Sequence, residues 1–280
     1  MDEWLQRPWV IVGCGRLGRT IGLAAEANGI ELRATWNRTE QTAEQTVELL
    51  SPGRAVHGPL PEAIEELDLS RCVVWVSVVD DVIAEISGKL APSVKAADLV
   101  LHACGSLDAR VLLESGIEAP VGSLHPLLAI TDPEQAIERL GECVWTVEGG
   151  SEAVDFAGAF TTAIGARLLE VESGSRALYH ASAATAANLF VALFDVALEM
   201  AERAGVGRED ARDMLLPLVE SSVANLKNQS TAEALSGPSA RGDLGTIERH
   251  REALRATGAD LDSIYEVLTR RALKLGEGEG

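Results

Sequence analysis

The sequence predicts an α/β fold, a Rossmann-type doubly wound parallel sheet followed by an all-α region, and three observations predict it. Apolar, β-branched runs alternate with helical stretches up to residue 172. Several of those runs lack polar alternation, as strands covered on both faces do. Beyond Ser175 only helical patterns remain. The composition shift near residue 172 divides the chain into residues 1–172 and 173–280.

Taken in order, Trp9-Val10-Ile11-Val12 reads as the first strand, and the alanine-rich stretch Thr20 to Asn28, closed by Gly29, as the helix after it. Residues 31–36 form a second strand, Glu40 to Leu50 a helix and Arg54 to Val56 a short strand. Cys72 to Val79 is a central strand, and Asp80-Asp81 can cap the helix Val82 to Leu90. Strands follow at 98–102, 120–126, 143–147 and 166–171, with a helix over 152–164 between the last two. Helices are then expected over 176–204, 208–227 with a kink at Pro217, 231–235, 244–256 and 260–274.

The glycine run Gly13-Cys14-Gly15-Arg16-Leu17-Gly18 lies between the first strand and its helix. In that context three glycines supply a tight turn, close backbone approach to a pyrophosphate and close helix–strand packing, while the helix start offers free N–H groups. This is a dinucleotide site. NAD binders end the second strand in an acidic residue that holds the ribose hydroxyls, and here Asn37-Arg38-Thr39 stands there instead. Glu31 opens that strand and lies at the wrong end of the sheet. A guanidinium beside a small hydrogen-bonding side chain suits a phosphate dianion, so the expected cofactor is NADP(H). The alternative leaves Arg38 a solvated surface residue.

In an open parallel sheet ligands sit beyond the carboxyl ends of the strands. Residues 13–18, 37–39, Ser77-Val78-Val79, His102 to Ser106 with Gly105, and Ser123 to Pro126 are therefore expected around one crevice. His102 and His125 stand at such strand ends, where an imidazole can pass a proton to a carbonyl or imine, or serve a purely structural hydrogen bond. His180 and Asn188 lie eight residues apart with Ala184 between them, close to one helical stripe. Asn188 is a candidate catalytic residue and, like Ser123, a candidate substrate contact; the alternative for Asn188 is a structural hydrogen bond. The breaker-rich loop Ser236 to Asp243 can present Arg241 and Asp243 to a carboxylate, or clasp them to each other.

With 280 residues, 46% apolar and 24% charged, the chain belongs with soluble two-domain proteins. A net charge of −19 without a basic cluster argues against nucleic acid and anionic membranes as partners. No basic-then-apolar leader opens the sequence, and the apolar stretch Ala181 to Leu198 is broken by Asn188 and Asp195, so a cytoplasmic protein that spans no membrane is expected. Cys14, Cys72, Cys104 and Cys143 are scattered without Cys-x-x-Cys spacing, which disfavours a zinc ribbon and a disulfide framework. His102, His125 and His180 lack ligand spacing, so no metal is expected.

From Val10 to about Leu273 the chain resembles the Rossmann-like family whose carboxyl-terminal half is catalogued as domain of unknown function 2520. The match is carried by the glycine run, Asn37-Arg38, Val79-Asp80-Asp81, His102 to Ser106, Gly122 to Pro126, Tyr179-His180 with Asn188, Gly237-Pro238 and Arg241-Gly242-Asp243. More distantly it is similar to pyrroline-5-carboxylate reductase, ketopantoate reductase and the β-hydroxyacid dehydrogenases. The resemblance implies an NADP-linked reductase of a small carbonyl or imine substrate bound between the domains, working as a homodimer through the helical region. One departure stands out. β-Hydroxyacid dehydrogenases carry a catalytic Lys four residues before the Asn, and here that residue is Ala184. His125 or His180 is then the expected replacement. The alternative is a sensor or scaffold that binds NADP(H) without turnover.

Overall fold

The computed structural model describes residues 2–60, 62–257 and 260–277. Its contacts fall into two compact units, residues 1–185 and 186–280, so the first unit extends past the composition shift at residue 172 and takes in one more helix.

The first unit is an eight-stranded sheet with order β3-β2-β1-β4-β5-β6-β7-β8. The strands are β1 (Trp9–Val12), β2 (Leu32–Asn37), β3 (Arg54–His57), β4 (Val73–Val76), β5 (Leu99–His102), β6 (Val121–Pro126), β7 (Val144–Gly149) and β8 (Arg167–Glu170). Interleaved with them are helices α1 (Arg16–Ala27), α2 (Glu40–Val47), α3 (Ile83–Leu90), α4 (Arg110–Glu114), α5 (Pro133–Arg139) and α6 (Ser151–Ala163), with α7 (Arg176–Ala186) after β8. Successive residues of β1 face opposite cores. Trp9 and Ile11 join Trp75, Trp145, Phe156 and Phe160 on one face, while Val10 and Val12 join Val74, Val76, Ile83 and Leu112 on the other. Both faces are covered, which is why these strands read as unbroken apolar runs.

The sheet departs from the predicted all-parallel order at one place, since β7 runs antiparallel to β6 and parallel to β8. Asp132 caps α5 by accepting from the N–H groups of Glu134 and Gln135, and Pro133 begins it, so the helix starts a few residues beyond the end of β6. The chain re-enters the sheet from the end it left, and His125 comes to face Thr146.

Among its described residues the second unit forms helices and no strand: α8 (Asn188–Arg203), α9 (Arg208–Leu226), α10 (Thr231–Ala234), α11 (Gly237–Ala240), α12 (Leu244–Arg255) and α13 (Leu261–Gly276). Two expectations are corrected. The single helix predicted over 176–204 is divided at Ala187, where φ is −116° and ψ is −74°, so His180 and Asn188 do not share a continuous helical stripe. Helix α9 contains Pro217 in its interior. By length and composition the run Arg176–Arg203 is apolar enough to cross a membrane, contrary to the reading that Asn188 and Asp195 break it. The division at Ala187 leaves pieces of 11 and 16 residues, each shorter than the roughly 20 a bilayer needs.

Candidate functional site

The three glycines after β1 are separated in role by what a side chain would meet there. Gly13 has φ +96°, and a Cβ on it would fall 2.7 Å from the Ser77 carbonyl oxygen and 2.6 Å from Val78. A Cβ on Gly18 would fall 2.3 Å from the carbonyl oxygen of Gly13, so α1 can lie this close to the turn only with glycine there. A Cβ on Gly15 would meet nothing within 4 Å, because Gly15 faces open space. Gly15 is also the N-cap of α1 and supplies no side-chain acceptor, which leaves the first N–H groups of that helix available.

The open space is a cleft of about 830 Å³ lined by Gly13, Cys14, Gly15, Arg16, Asn37, Arg38, Thr39, Ser77, Val78 and Val79, together with Arg19, Trp36, Pro59 and Lys89. Ten of the residues expected at a cofactor site therefore share one cavity. The guanidinium groups of Arg16 and Arg38 form no ion pair or hydrogen bond with any described residue, whereas Arg19 donates to the Thr42 carbonyl at 3.4 Å and to Gln45 at 3.2 Å, and Lys89 pairs with Glu85 at 2.6 Å. Asn37 is buried and its Oδ1 accepts from the Thr46 hydroxyl at 3.2 Å, which anchors the end of β2 under α2. Cys14 is buried, and that burial pushes its thiol up to about 12. Leu17 and Gly18 lie outside the lining; Leu17 packs against the core.

A second cluster forms beside the cleft, where the loops after β4, β5 and β6 meet α7. Asp80, next to the cleft residue Val79, accepts from the Ser106 hydroxyl at 3.1 Å. One residue back, Gly105 is wedged between two imidazoles: a Cβ on it would lie 2.4 Å from His180 and 2.9 Å from His125. The two rings meet edge to face, with centroids 5.6 Å apart. His125 Nδ1 is 3.2 Å from the Tyr179 hydroxyl, which accepts from Thr146 at 3.0 Å. A phenol hydrogen donated to His125 Nδ1 would leave the imidazole proton on Nε2.

Burial first, then the Arg176 charge and His180, push the His125 pKa down to about 4. At neutral pH His125 is therefore a neutral imidazole. His102 is fully buried and burial likewise holds it at about 4. Its Nδ1 accepts from the Cys104 N–H at 3.2 Å, and it does not line the cleft. Ser123 is also fully buried, its hydroxyl spent on the Cys104 carbonyl at 3.1 Å.

The remaining candidates belong to the second unit. Asn188 opens α8 and is exposed, and its side chain has no hydrogen-bond partner among the described residues. Asp243 caps α12, accepting from the Thr246 N–H at 3.0 Å and its hydroxyl at 2.7 Å, and those bonds hold its carboxyl below the usual range. Arg241, exposed at the end of α11, forms no ion pair with Asp243, so the clasp is absent among the described residues. Reading the sequence missed Thr146, Arg176 and the hydroxyl of Tyr179. Thr146 enters through the antiparallel register of β7, which no local pattern announces. Tyr179 and Arg176 precede His180 by one residue and one turn, so helical spacing from a candidate histidine was the available signal.

Residues 143–272 match the family described as Domain of unknown function (DUF2520). No curated protein matches the chain. Among solved structures it is similar to a protein from Bacteroides fragilis named as an NADP oxidoreductase, with TM-score 0.77 and 20% identity over 97% of this chain and 100% of that one. A pyrroline carboxylate reductase from Plasmodium falciparum with NADP bound gives TM-score 0.59 and 14% identity, covering 96% of this chain and 98% of that one. A reductive aminase from Aspergillus terreus, in complex with NADPH and ethyl levulinate, gives TM-score 0.64 and 20% identity over 98% and 95%. At these identities the likeness establishes the fold: a Rossmann-like sheet followed by a helical region.

Proposed function

We propose that this protein is an NADP(H)-dependent oxidoreductase that transfers a hydride to or from a small carbonyl or imine. The observation that carries the reading is the cleft at Gly15, open to a pyrophosphate and flanked by Arg16 and Arg38, neither of which pairs with an acid among the described residues. In a chain of charge −19, two unpaired guanidiniums in one cavity suit a cofactor bearing several phosphates. The fold shared with the proteins named above, two of them holding NADP or NADPH, supports the same cofactor.

The bound nicotinamide would supply the hydride. The residues of this chain do the rest. Arg38 and Thr39 hold the phosphorylated ribose, the free N–H groups at the start of α1 hold the diphosphate, and Val79, 73% exposed, offers an apolar wall. His125 donates its Nε2 proton as a hydrogen bond to the carbonyl oxygen or imine nitrogen, polarising the double bond as a neutral imidazole. Tyr179 and Thr146 keep that tautomer in place, and Gly105 allows His180 to pack against it. In this role His125 replaces the lysine that Ala184 does not provide. We further propose a cytoplasmic homodimer whose second copy covers the exposed apolar residues of α8 and α9.

Steady-state NADPH oxidation measured across a panel of carbonyls and imines tests the reading. Turnover of at least one substrate class, lost on His125→Ala, is expected. Tight NADPH binding without oxidation across the panel would favour the sensor or scaffold reading, for which the missing lysine at Ala184 is the motivating observation.

A further inference from the structure

Phosphate groups account for one part of the cleft, and the rest of its lining is of another kind. Trp36 and Leu60 enter it from the end of β2 and the turn after β3, and Val82 and Ile86 from α3 and the residue before it. The Trp36 indole N–H is already spent on the Gly58 carbonyl at 3.0 Å, so these four side chains offer no free polar atom to a ligand. Ile83, Ser87 and Leu90 of α3 are buried in the fold, and helical spacing turns residues 82, 86 and 89 toward the cleft instead. Apolar walls of this sort suit a flat aromatic ring, and the ring joined to the ribose at Arg38 would be adenine.

Glu85 is out of place in that lining unless it meets a donor. Among the described residues around the cleft it is the one acid, in company with Arg16, Arg19, Arg38 and Lys89, and a carboxylate repels the phosphates that those cations suit. Its Oε1 accepts from Lys89 Nζ at 2.6 Å, one turn farther along α3. That bond, together with the Lys89 charge, holds the Glu85 carboxyl below its ordinary value, so the group can only accept. Its second oxygen accepts from no described residue.

We propose that Glu85, held in position by Lys89, accepts a hydrogen bond from the exocyclic amino group of adenine, so that the cleft selects the base of its cofactor as well as the phosphate. The proposal rests on the NADP(H) reading of the cleft. Hypoxanthine carries a carbonyl oxygen on the same ring carbon, and against a carboxylate two acceptors would meet with no hydrogen between them. Because Glu85 is exposed, the bond competes with water and its effect on affinity is moderate.

Calorimetric titration of the full-length protein with NADPH and with its hypoxanthine analogue, in which an oxo group replaces that amino group, tests this. NADPH should bind about tenfold more tightly. Glu85→Gln should bring the two within about twofold of each other, because an amide can donate to the oxo group as readily as it accepts from the amino group. Equal binding of the two dinucleotides by the wild type, or tighter binding of the analogue, overturns the proposal. So does a preference that survives Glu85→Gln with both affinities lowered alike, which would place Glu85 on the ribose rather than on the base. Should Glu85→Gln fail to fold, Glu85→Ala is read in the same way, the preference now disappearing through weaker NADPH binding alone. Failure of the cofactor reading looks different: neither dinucleotide then binds the wild type, and the proposal falls with it.

Discussion

The two units solve burial differently. Residues 1–185 take Trp9, Trp75, Trp145, Phe156 and Phe160 to 0% exposure in one aromatic cluster whose ring centroids lie 5.2 to 6.4 Å apart. The described residues of the second unit bury few side chains, Leu198, Ala211, Ile247 and Leu261 among them, and leave Leu189, Val191, Leu218 and Val267 58–67% exposed. A sheet with helices on both faces closes its own core. A short stack of helices has too much surface for its volume to do the same, so its apolar side chains remain available to a partner.

The comparison is broken most directly by large truncations. Trp75→Ala removes a side chain at the centre of the aromatic cluster and should cost about 3–5 kcal/mol, read as a lowered urea midpoint. An equal loss from truncating an exposed leucine of α8 or α9 in a dilute sample would erase the distinction between the units.

Acid should strike the first unit next. His102 and His125 titrate near 6.5 when unfolded and are held at about 4 when folded, so the unfolded chain binds more protons between those values. Their contribution is fully present above pH 6.5 and is lost as pH falls toward 4, by up to about 3 kcal/mol for each histidine. Urea melts from pH 7 to 4 should show this slope, and His102→Asn should flatten it. A stability independent of pH across that window would contradict the buried neutral imidazoles.

Arg38→Ala should weaken NADPH by tenfold or more, about 1.4 kcal/mol, while changing NADH by less than about twofold. Equal loss for both cofactors in fluorescence titrations would remove the argument from the end of β2. Tyr179→Phe should cost about 1 kcal/mol of stability and move the His125 titration, followed through its imidazole proton signals, because the bond at Nδ1 is gone. An unmoved signal would remove the Thr146–Tyr179–His125 chain. The smallest effect on folding belongs to Leu218→Ser, within about 0.5 kcal/mol for a dilute single copy. Sedimentation should nevertheless show the assembly dissociating; a wild-type protein that sediments as one copy at every concentration would exclude a second copy as the cover.

Much of the first unit was legible because its strands announce themselves by composition and its glycine turn by spacing. The cleft followed from the rule that ligands gather at strand ends, and Gly13, Gly15, Arg16, Asn37 and Arg38 do line one cavity. The imidazole cluster was legible only in part. His125 and His180 were visible as residues, but their meeting depends on the absent side chain of Gly105, and the partner of His125 depends on a strand that runs backwards. Helix boundaries in the alanine-rich stretch were not legible, since nothing in residues 181–187 marks the break at Ala187.

The sequence by itself determined the elements, the two-sided burial of the sheet and the chemistry of the glycine turn, because these rest on local patterns of apolar residues and on backbone freedom at single positions. Only the tertiary structure decided which charges go unpaired and which imidazoles stay neutral. Those properties depend on distances between residues far apart in the chain and on how completely water is removed, and neither is written in any local pattern. Arg38 and Arg176 read alike as letters; one lies in an open cleft, and the other is buried beside Cys104 with two of its nitrogens unanswered.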